Sequence, residues 1–262
     1  MRQQLFHRVQ GQGSPLVLLH PVGIDHSFWG PLVDKASSLH TVISVDLMGH
    51  GASPPASPER GISAYAEDVA GLLDELSLAR ASLLGLSFGG MIAQEFALTY
   101  PARISALVVG ACGPRIPAEA RDAVRARGNV DPAKGMASVV DQTMQRWFTP
   151  AFINSESAQR VHARLLADDP PGWAAGWNAI SGFDALDRLG SIAVPTLVIA
   201  GELDAGAPVA TTKTIADAIP GSQFVMLPGA PHMMQIECAG PFTECVMTFL
   251  RDVAAKAPAQ KP

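Results

Sequence analysis

The sequence predicts an α/β protein with a mostly parallel, doubly wound sheet and a helical insertion. In the first part of the chain, short apolar runs typical of strands buried on both faces alternate with segments of helical spacing. This alternation stops near residue 112 and resumes near residue 191. We therefore expect a core of residues 1–111 and 191–256, a helical cap or lid at residues 112–190, and a flexible tail at residues 257–262.

The composition fits one large domain and argues against nucleic acid or a membrane as a partner. Of the 262 residues, 48% are hydrophobic, which is enough for an extensive core, and only 16% are charged. A net charge of −5 leaves no basic surface for a nucleic acid. No apolar run approaches the roughly 20 residues of a membrane span, and residues 1–5 lack the apolar segment of a signal peptide.

The cysteines indicate a reducing compartment. Cys112, Cys238 and Cys245 are odd in number and scattered, without the spacing of a metal site or a disulfide framework. This pattern is typical of buried thiols in a cytoplasmic protein. The sequence leaves the oligomeric state open, a homo-oligomer included.

The predicted strands are short apolar runs that end in turn-forming residues. They cover residues 5–9, 16–20, 41–46, 81–85, 106–110, 194–201 and 223–228. The second run is followed by a loop that carries Asp25 and His26, and the third by a turn rich in glycine and proline.

The predicted helices have apolar residues at helical spacing, and Ser63 is a candidate cap for the first of them. They cover residues 62–76, 91–100, 210–218 and 239–255 in the core, and 118–127, 137–147, 157–166 and 171–180 in the insertion.

A serine between two glycines, at the junction of a strand and a helix, is the strongest chemical signal. Residues 85–89 read Gly-Leu-Ser-Phe-Gly and fit the G-x-S-x-G turn that presents a nucleophilic serine. Such a turn lifts the Ser87 hydroxyl clear of the sheet, and the following helix aims its amino end at an oxyanion. The alternative is an ordinary junction with a chance serine, so the assignment depends on partners for Ser87.

Two later residues complete the order serine, acid, histidine that a catalytic triad on such a sheet requires. Asp204 follows the sixth predicted strand and His232 follows the seventh. Both are expected at the carboxyl ends of parallel strands, where open α/β sheets place their sites. Taken singly, Asp204 also suits a helix cap, His232 a solvated loop, and Glu202 competes as the acid. Their joint order favours the triad.

An oxyanion on the substrate needs two N–H donors. Phe88, directly after the serine, is predicted to supply one, and Val22, in the loop after the second strand, the other. Pro21 has no N–H to donate. His20 either orients this loop or is a satisfied structural histidine, and we favour the structural role. His50 is interpreted as a turn residue.

The insertion contains large aromatic residues that suit either a pocket wall or a core between helices. For most of them core packing is the favoured interpretation. Three tryptophans and one arginine are kept, with His20, as candidate pocket residues: Trp147, Trp173, Trp177 and Arg146.

With these residues placed, the chain resembles the α/β-hydrolase family over essentially its whole length. The resemblance is carried by residues 20–23, 46–53, 85–90 and 201–204. Within the family the chain is most similar to the 3-oxoadipate enol-lactonases and the cofactor-free haloperoxidase-like esterases, and residues 146–152 resemble a segment typical of the enol-lactonases. The resemblance implies an α/β-hydrolase fold and an enzyme of the carboxylic ester and lactone hydrolase class.

The sequence departs from these relatives at several positions. Pro21 and Pro231 stand where many relatives have glycine, and Leu47 and Met48 where many have an arginine before the Gly-His-Gly turn. Enol-lactonases usually carry an arginine near the position of Ser181, whereas residues 172–181 here are bulky and uncharged. This difference argues against a dicarboxylate-like lactone. Arg146 either compensates or is an exposed residue, and we favour the second interpretation.

The leading hypothesis is a serine hydrolase that cleaves a small carboxylic ester or lactone through an acyl-enzyme. Its rivals are hydrolysis of a carbon–carbon bond in a ring-fission product and acyl transfer or perhydrolysis. A non-catalytic ligand receptor is disfavoured because all three triad residues are present. No metal or organic cofactor is predicted, since the sequence offers neither ligand spacing nor a nucleotide-binding glycine loop.

Overall fold

The computed structural model describes residues 4–256. The predicted tail at residues 257–262 lies outside this range. The strands are β1 (His7–Gln10), β2 (Ser14–Leu19), β3 (His40–Val45), β4 (Ala81–Leu86), β5 (Ile104–Gly110), β6 (Thr196–Gly201) and β7 (Gln223–Leu227).

These strands form one seven-stranded sheet in the order β1-β3-β2-β4-β5-β6-β7. Strand β1 pairs antiparallel with β3, and the other neighbours are parallel. Because β2 and β4 are neighbours at the centre, the loops that leave their carboxyl ends lie side by side. The predicted mostly parallel sheet is confirmed.

The helices lie on both faces of the sheet and in the insertion. They are α1 (Gly30–Ala36), α2 (Ile62–Glu75), α3 (Phe88–Thr99), α4 (Arg121–Arg125), α5 (Val140–Trp147), α6 (Glu156–Leu166), α7 (Pro170–Ser181), α8 (Val209–Ala218), α9 (Met234–Glu237) and α10 (Ala239–Lys256). No helix of the described residues is both long and apolar enough to span a bilayer.

Alternate residues of each central strand enter two separate cores. Leu16 and Leu18 join a cluster that includes residues of α1 and α10, whereas Val17 and Leu19 join a cluster that includes residues of α2, α3 and the insertion. Side chains of a strand point alternately to opposite faces, so a continuous apolar run fills both cores. This is the physical reason for the doubly wound arrangement.

Helices α4 to α7 lie between β5 and β6, as the break in the sequence pattern predicts. An isolated antiparallel bridge between Arg115 and Asp184 joins the two ends of this insertion. The first predicted helix of the insertion is broken, since only Arg121–Arg125 is α-helical and 3₁₀ turns flank it.

Some local predictions were wrong. Helix α1 was missed because seven residues are too few to show helical periodicity, although Pro31 in its first turn is a start signal. Helix α2 is capped by Gly61 without a side-chain hydrogen bond, so Ser63 is not the cap. Helix α3 begins at Phe88, immediately after Ser87, and not at residue 91.

Candidate active site

Ser87 occupies a strained turn between β4 and α3. Its φ is +53° and its ψ is −116°, a conformation that L-residues avoid. Two backbone hydrogen bonds hold the turn: Ser87 N donates to Gly110 O at 2.8 Å, and Met91 N donates to Ser87 O at 3.1 Å. The strain therefore persists because the sheet and the helix on either side fix the backbone.

The two glycines of the motif are required by close backbone approaches. A Cβ on Gly85 would lie 2.1 Å from Gly89 O, and one on Gly89 would lie 1.9 Å from Leu19 O. The second contact brings the amino end of α3 against the end of β2. This approach sets the Ser87 turn beside the loop that carries Val22.

The structure brings the three predicted triad residues together. Ser87 Oγ lies 3.0 Å from His232 Nε2, and His232 Nδ1 lies 2.9 and 3.0 Å from the two carboxylate oxygens of Asp204. A carboxylate only accepts, so the Nδ1–H donates to Asp204 and Nε2 is left to accept from the serine hydroxyl. His232 and Asp204 are both buried, whereas Ser87 is partly exposed.

Asp204 is held by its own loop. Its Oδ1 accepts from Gly206 N at 2.7 Å and from Ala207 N at 2.8 Å. The local competitor Glu202 is turned away and accepts from Gly229 N at 2.7 Å. The geometry therefore selects Asp204 as the partner of His232.

The backbone amides of Val22 and Phe88 are both free to donate. Within residues 4–256 neither N–H makes a hydrogen bond. The ring of Phe88 points into the core, with centroids 4.9 Å from Tyr65 and 5.8 Å from His50, so its backbone stays at the turn. Two unpaired N–H groups beside a serine hydroxyl are what an oxyanion site requires.

The His20 side chain is hydrogen-bonded to the backbone of the loop that carries Val22. Its Nε2 accepts from Leu47 N at 3.0 Å, so the ring proton is on Nδ1, which donates to Pro21 O at 2.7 Å. Burial, reinforced by neighbouring His50, lowers the pKa of His20 to about 3. Since the side chain is fully buried with both nitrogens engaged, the structure favours a structural role in this loop over substrate contact.

The three tryptophans lie where the insertion meets the catalytic loops. Trp147 stacks on the His232 ring with centroids 6.2 Å apart. Trp173 packs edge-to-face with Trp177 at 5.6 Å and would meet a Cβ on Gly23 at 2.6 Å. All three are buried in the core cluster, so they support the loops around Ser87 through packing.

Arg146 is partly exposed and makes no ion pair among the described residues. The guanidinium of Arg127 lies 5.3 Å from the centroid of the Trp177 ring and is also without an acidic partner there. Burial, and then the charge of Arg146, lower the pKa of Arg127 below its usual value. Two uncompensated cations thus lie on the insertion.

One cluster has the residue types of a metal site. Asp25, His26 and Asp46 place ligand-type atoms within 4.8 Å of one another. Asp46 Oδ1 accepts from His26 N and His26 Nδ1, both at 2.7 Å, and Oδ2 accepts from Ala52 N at 2.8 Å. These bonds occupy most of the lone pairs of the Asp46 carboxylate, and they connect the loops that follow β2 and β3.

Sequence reasoning missed two features of this region. His50, interpreted as a turn residue, is buried with its ring centroid 5.2 Å from that of His20. Arg164 of α6 donates to Asp25 across 139 positions of the chain. No local pattern signals such a contact, although Asp25 was noted as a loop carboxylate.

Comparison with known proteins identifies the family. A sequence model described as the alpha/beta hydrolase family matches residues 16–244. The chain belongs to the α/β-hydrolase family. This confirms the predicted fold and the predicted hydrolase class of the enzyme.

Relatives of this hydrolase cover nearly its whole length. It is 30% identical to 3-oxoadipate enol-lactonase 1 of Acinetobacter baylyi over 241 residues, which are 91% of this chain and 89% of the relative. It is also 30% identical to a pimeloyl-[acyl-carrier protein] methyl ester esterase of Aliivibrio salmonicida, with 96% and 97% of the two chains covered. The crystal structure of the enol-lactonase from Burkholderia xenovorans LB400 superposes with a TM-score of 0.88 at 31% identity, covering 94% of this chain and 96% of that one. The resemblance to enol-lactonases is thereby confirmed.

Proposed function

We propose that this hydrolase cleaves a small carboxylic ester or lactone through an acyl-enzyme formed on Ser87. The observation that carries the proposal is the continuous chain from Ser87 Oγ to His232 at 3.0 Å and from His232 to Asp204 at 2.9 Å. Relatives named as an enol-lactonase and a methyl ester esterase support the same bond type.

In the first half-reaction, Ser87 Oγ attacks the carbonyl carbon while His232 Nε2 takes its proton. The carbonyl oxygen becomes an oxyanion that accepts from the N–H groups of Val22 and Phe88. Asp204 fixes the tautomer of His232 and stabilises the imidazolium. The imidazolium then protonates the leaving oxygen as the carbon–oxygen bond breaks, which leaves the acyl group on Ser87.

In the second half-reaction, water replaces the leaving alcohol. His232 Nε2 takes a proton from water as the water oxygen attacks the acyl carbon. It then returns a proton to Ser87 Oγ as the bond from the acyl carbon to Oγ breaks. For an ester the products are an acid and an alcohol. For a lactone the leaving oxygen stays on the acyl group, so one hydroxy acid is released.

The same three residues are also compatible with two other reactions. These are acyl transfer or perhydrolysis, in which another acceptor replaces water, and hydrolysis of a carbon–carbon bond in a ring-fission product.

Two cations without acidic partners, Arg127 and Arg146, favour a substrate with an anionic group over a neutral one. We therefore expect Arg146→Gln to lower kcat/KM for an ester that carries a carboxylate and to leave a neutral ester of the same size unchanged. Equal kinetics on both esters would make Arg146 a surface residue.

The site of action that we propose is the cytoplasm. Cys112 is buried, Cys238 and Cys245 are partly buried, and all three are free thiols in the structure. Free thiols persist in a reducing compartment.

The test is intact-protein mass after treatment with a fluorophosphonate, comparing wild type with Ser87→Ala and His232→Ala. A single adduct on the wild type that both variants lack supports an activated serine. Removal of a triad residue should lower turnover of p-nitrophenyl acetate by about 10⁴-fold or more. A fully active Ser87→Ala variant would contradict the mechanism. Transfer of the acyl group to an added alcohol or peroxide would indicate acyl transfer or perhydrolysis.

A further inference from the structure

Three contacts connect the end of α5 to the segment that carries His232. Met233 N donates to Trp147 O at 3.1 Å. The Trp147 ring stacks on the His232 ring, with centroids 6.2 Å apart and an angle of 23° between the planes. Thr149, two residues after Trp147, donates to the carboxylate of Glu237 at the end of α9. The insertion and the core therefore meet beside the candidate general base.

Both carboxylate oxygens of Glu237 bind the same residue of the insertion. Thr149 N donates to Oε2 at 3.0 Å, and Thr149 Oγ1 donates to Oε1. Hydrogen bonds to a carboxylate are charge-assisted, and two of them to one residue fix its orientation as well as its distance. The two residues are 88 positions apart in the chain, so local secondary structure does not account for this contact.

Glu237 has no cation that would explain its position. Its side chain is partly buried, and within residues 4–256 it makes no ion pair. Taking a carboxylate out of water is costly unless hydrogen bonds compensate for the lost solvent. The two bonds from Thr149 provide this compensation, and the same bonds hold the chain at residue 149.

The stacked tryptophan restricts a motion of the imidazole that Asp204 leaves open. Asp204 engages only the Nδ1 edge of the His232 ring, and hydrogen bonds at one edge allow the ring to tilt about that edge. Trp147 is only 2% exposed and covers a face of the ring. Nε2 at the far edge must stay near its distance of 3.0 Å from Ser87 Oγ for proton transfer.

We propose that Glu237 is a positioning residue for His232. Glu237 holds Thr149, Thr149 fixes the end of α5, and the end of α5 presents the Trp147 ring to the imidazole. The inference rests on the proposed function, in which His232 takes the proton of Ser87. The insertion thus orients the general base, whatever contacts it makes with the substrate.

Glu237→Ala breaks this connection and leaves the apolar core unchanged. We expect kcat for p-nitrophenyl acetate to fall about tenfold or more, with KM changed by less than about twofold, because a misplaced base weakens the transition state and not substrate binding. Glu237→Gln should keep most of the activity. Its Oε1 accepts from Thr149 N, and its amide donates to the Thr149 hydroxyl.

The NMR resonances of the His232 ring test the connection without any turnover. The ring current of a stacked tryptophan shifts the resonances of protons that lie over its face. The His232 resonances should therefore move in the same direction in Glu237→Ala and in Trp147→Leu, and stay near their wild-type positions in Glu237→Gln. A wild type without a fluorophosphonate adduct on Ser87 would contradict the proposed function, whereas these resonances test the connection by themselves.

Glu244→Ala is the matched control. Glu244 is an exposed glutamate of α10 that pairs with Lys35, and its loss should change neither kcat nor the His232 resonances. Unchanged His232 resonances in Glu237→Ala would overturn the proposal. So would a kcat that falls no further in Glu237→Ala than in Glu244→Ala. A lower free energy of unfolding without either change would make Glu237 a residue of purely structural importance.

Discussion

Arg164 Nε donates to Asp25 Oδ2 at 2.7 Å, and the two side chains are only 16% and 15% exposed. Arg164 belongs to α6 of the insertion, whereas Asp25 lies three residues after Val22 in the loop that leaves β2. Asp25 Oδ1 also accepts from the amide and the hydroxyl of Ser27, at 2.9 and 2.6 Å. The insertion is therefore tied directly to the loop that carries a proposed oxyanion donor.

Loss of this tie should affect both stability and catalysis. We expect Arg164→Gln to lower the free energy of unfolding by about 1–3 kcal/mol, because it leaves the carboxylates of Asp25 and Asp168 without their cation. A less fixed Val22 amide should lower kcat for p-nitrophenyl acetate more than it raises KM, since the oxyanion exists only near the transition state. Urea unfolding and steady-state kinetics measure the two effects.

Arg160→Gln is the matched control for this prediction. Arg160 lies on the same helix and is exposed, and its guanidinium is 5.8 Å from the centroid of the Phe28 ring. Its loss should change neither quantity by much. If Arg164→Gln and Arg160→Gln change the free energy of unfolding and kcat equally, the ion pair between Arg164 and Asp25 does not position the loop.

The strained backbone at Ser87 should lower the free energy of unfolding of the wild-type protein. Ser87→Gly should be more stable than Ser87→Ala by about 1 kcal/mol, because glycine adopts the positive φ freely and the gain exceeds its larger unfolded-state entropy. Both variants should be inactive. Urea denaturation of the pair measures the difference, and a Ser87→Ala variant at least as stable as Ser87→Gly would contradict a strained turn.

Gly176 of α7 lies against the oxyanion loop. A Cβ at this position would be 2.8 Å from Val22 Cγ2, which is closer than real contacts allow. Gly176→Ala should therefore displace the Val22 loop and lower kcat at least tenfold, a loss of about 1.4 kcal/mol in transition-state stabilisation. Gly182→Ala is the control, because a Cβ there meets its nearest heavy atom only at 3.9 Å. Unchanged kcat in Gly176→Ala would show that the loop adapts freely.

The buried histidine under this loop predicts sensitivity to acid. The unfolded chain takes up a proton on His20 near the ordinary pKa of 6.5, whereas the folded protein does so only near pH 3. The stabilisation from neutral His20 is thus fully present above pH 6.5 and is lost as the pH falls toward 3. The free energy of unfolding should decrease by about 1.4 kcal/mol per pH unit for this one group.

Urea unfolding between about pH 7 and pH 4, together with the NMR titration of the His20 ring, tests this dependence. The ring should keep the signature of neutral imidazole throughout. In His162→Gln, which changes a partly exposed histidine on α6, the His20 ring should keep this same signature. Titration of His20 near pH 6 would contradict its burial as a neutral acceptor.

The sequence indicated the candidate site because each of its residues follows an apolar run. Ser87 comes directly after β4, and Asp204 and His232 lie in the loops that follow β6 and β7. Parallel strands bring their carboxyl ends to one edge of the sheet. The turn at Ser87, with Gly85 and Gly89 on either side, is also a local signal, since only glycine fits the close backbone approaches at these two positions. Helix α1 was missed because its pattern is too short to show a period.

The sequence by itself therefore determined the alternation of strands and helices, the place of the insertion and the order of the three candidate catalytic residues. All of these depend on local periodicity and on the fixed geometry of parallel strands. Only the tertiary structure decided that Arg164 reaches Asp25, that His20 accepts from Leu47, and that Trp147 stacks on His232. These contacts join loops and helices far apart in the chain, and their distances follow from how the insertion packs on the sheet, which no short sequence pattern encodes.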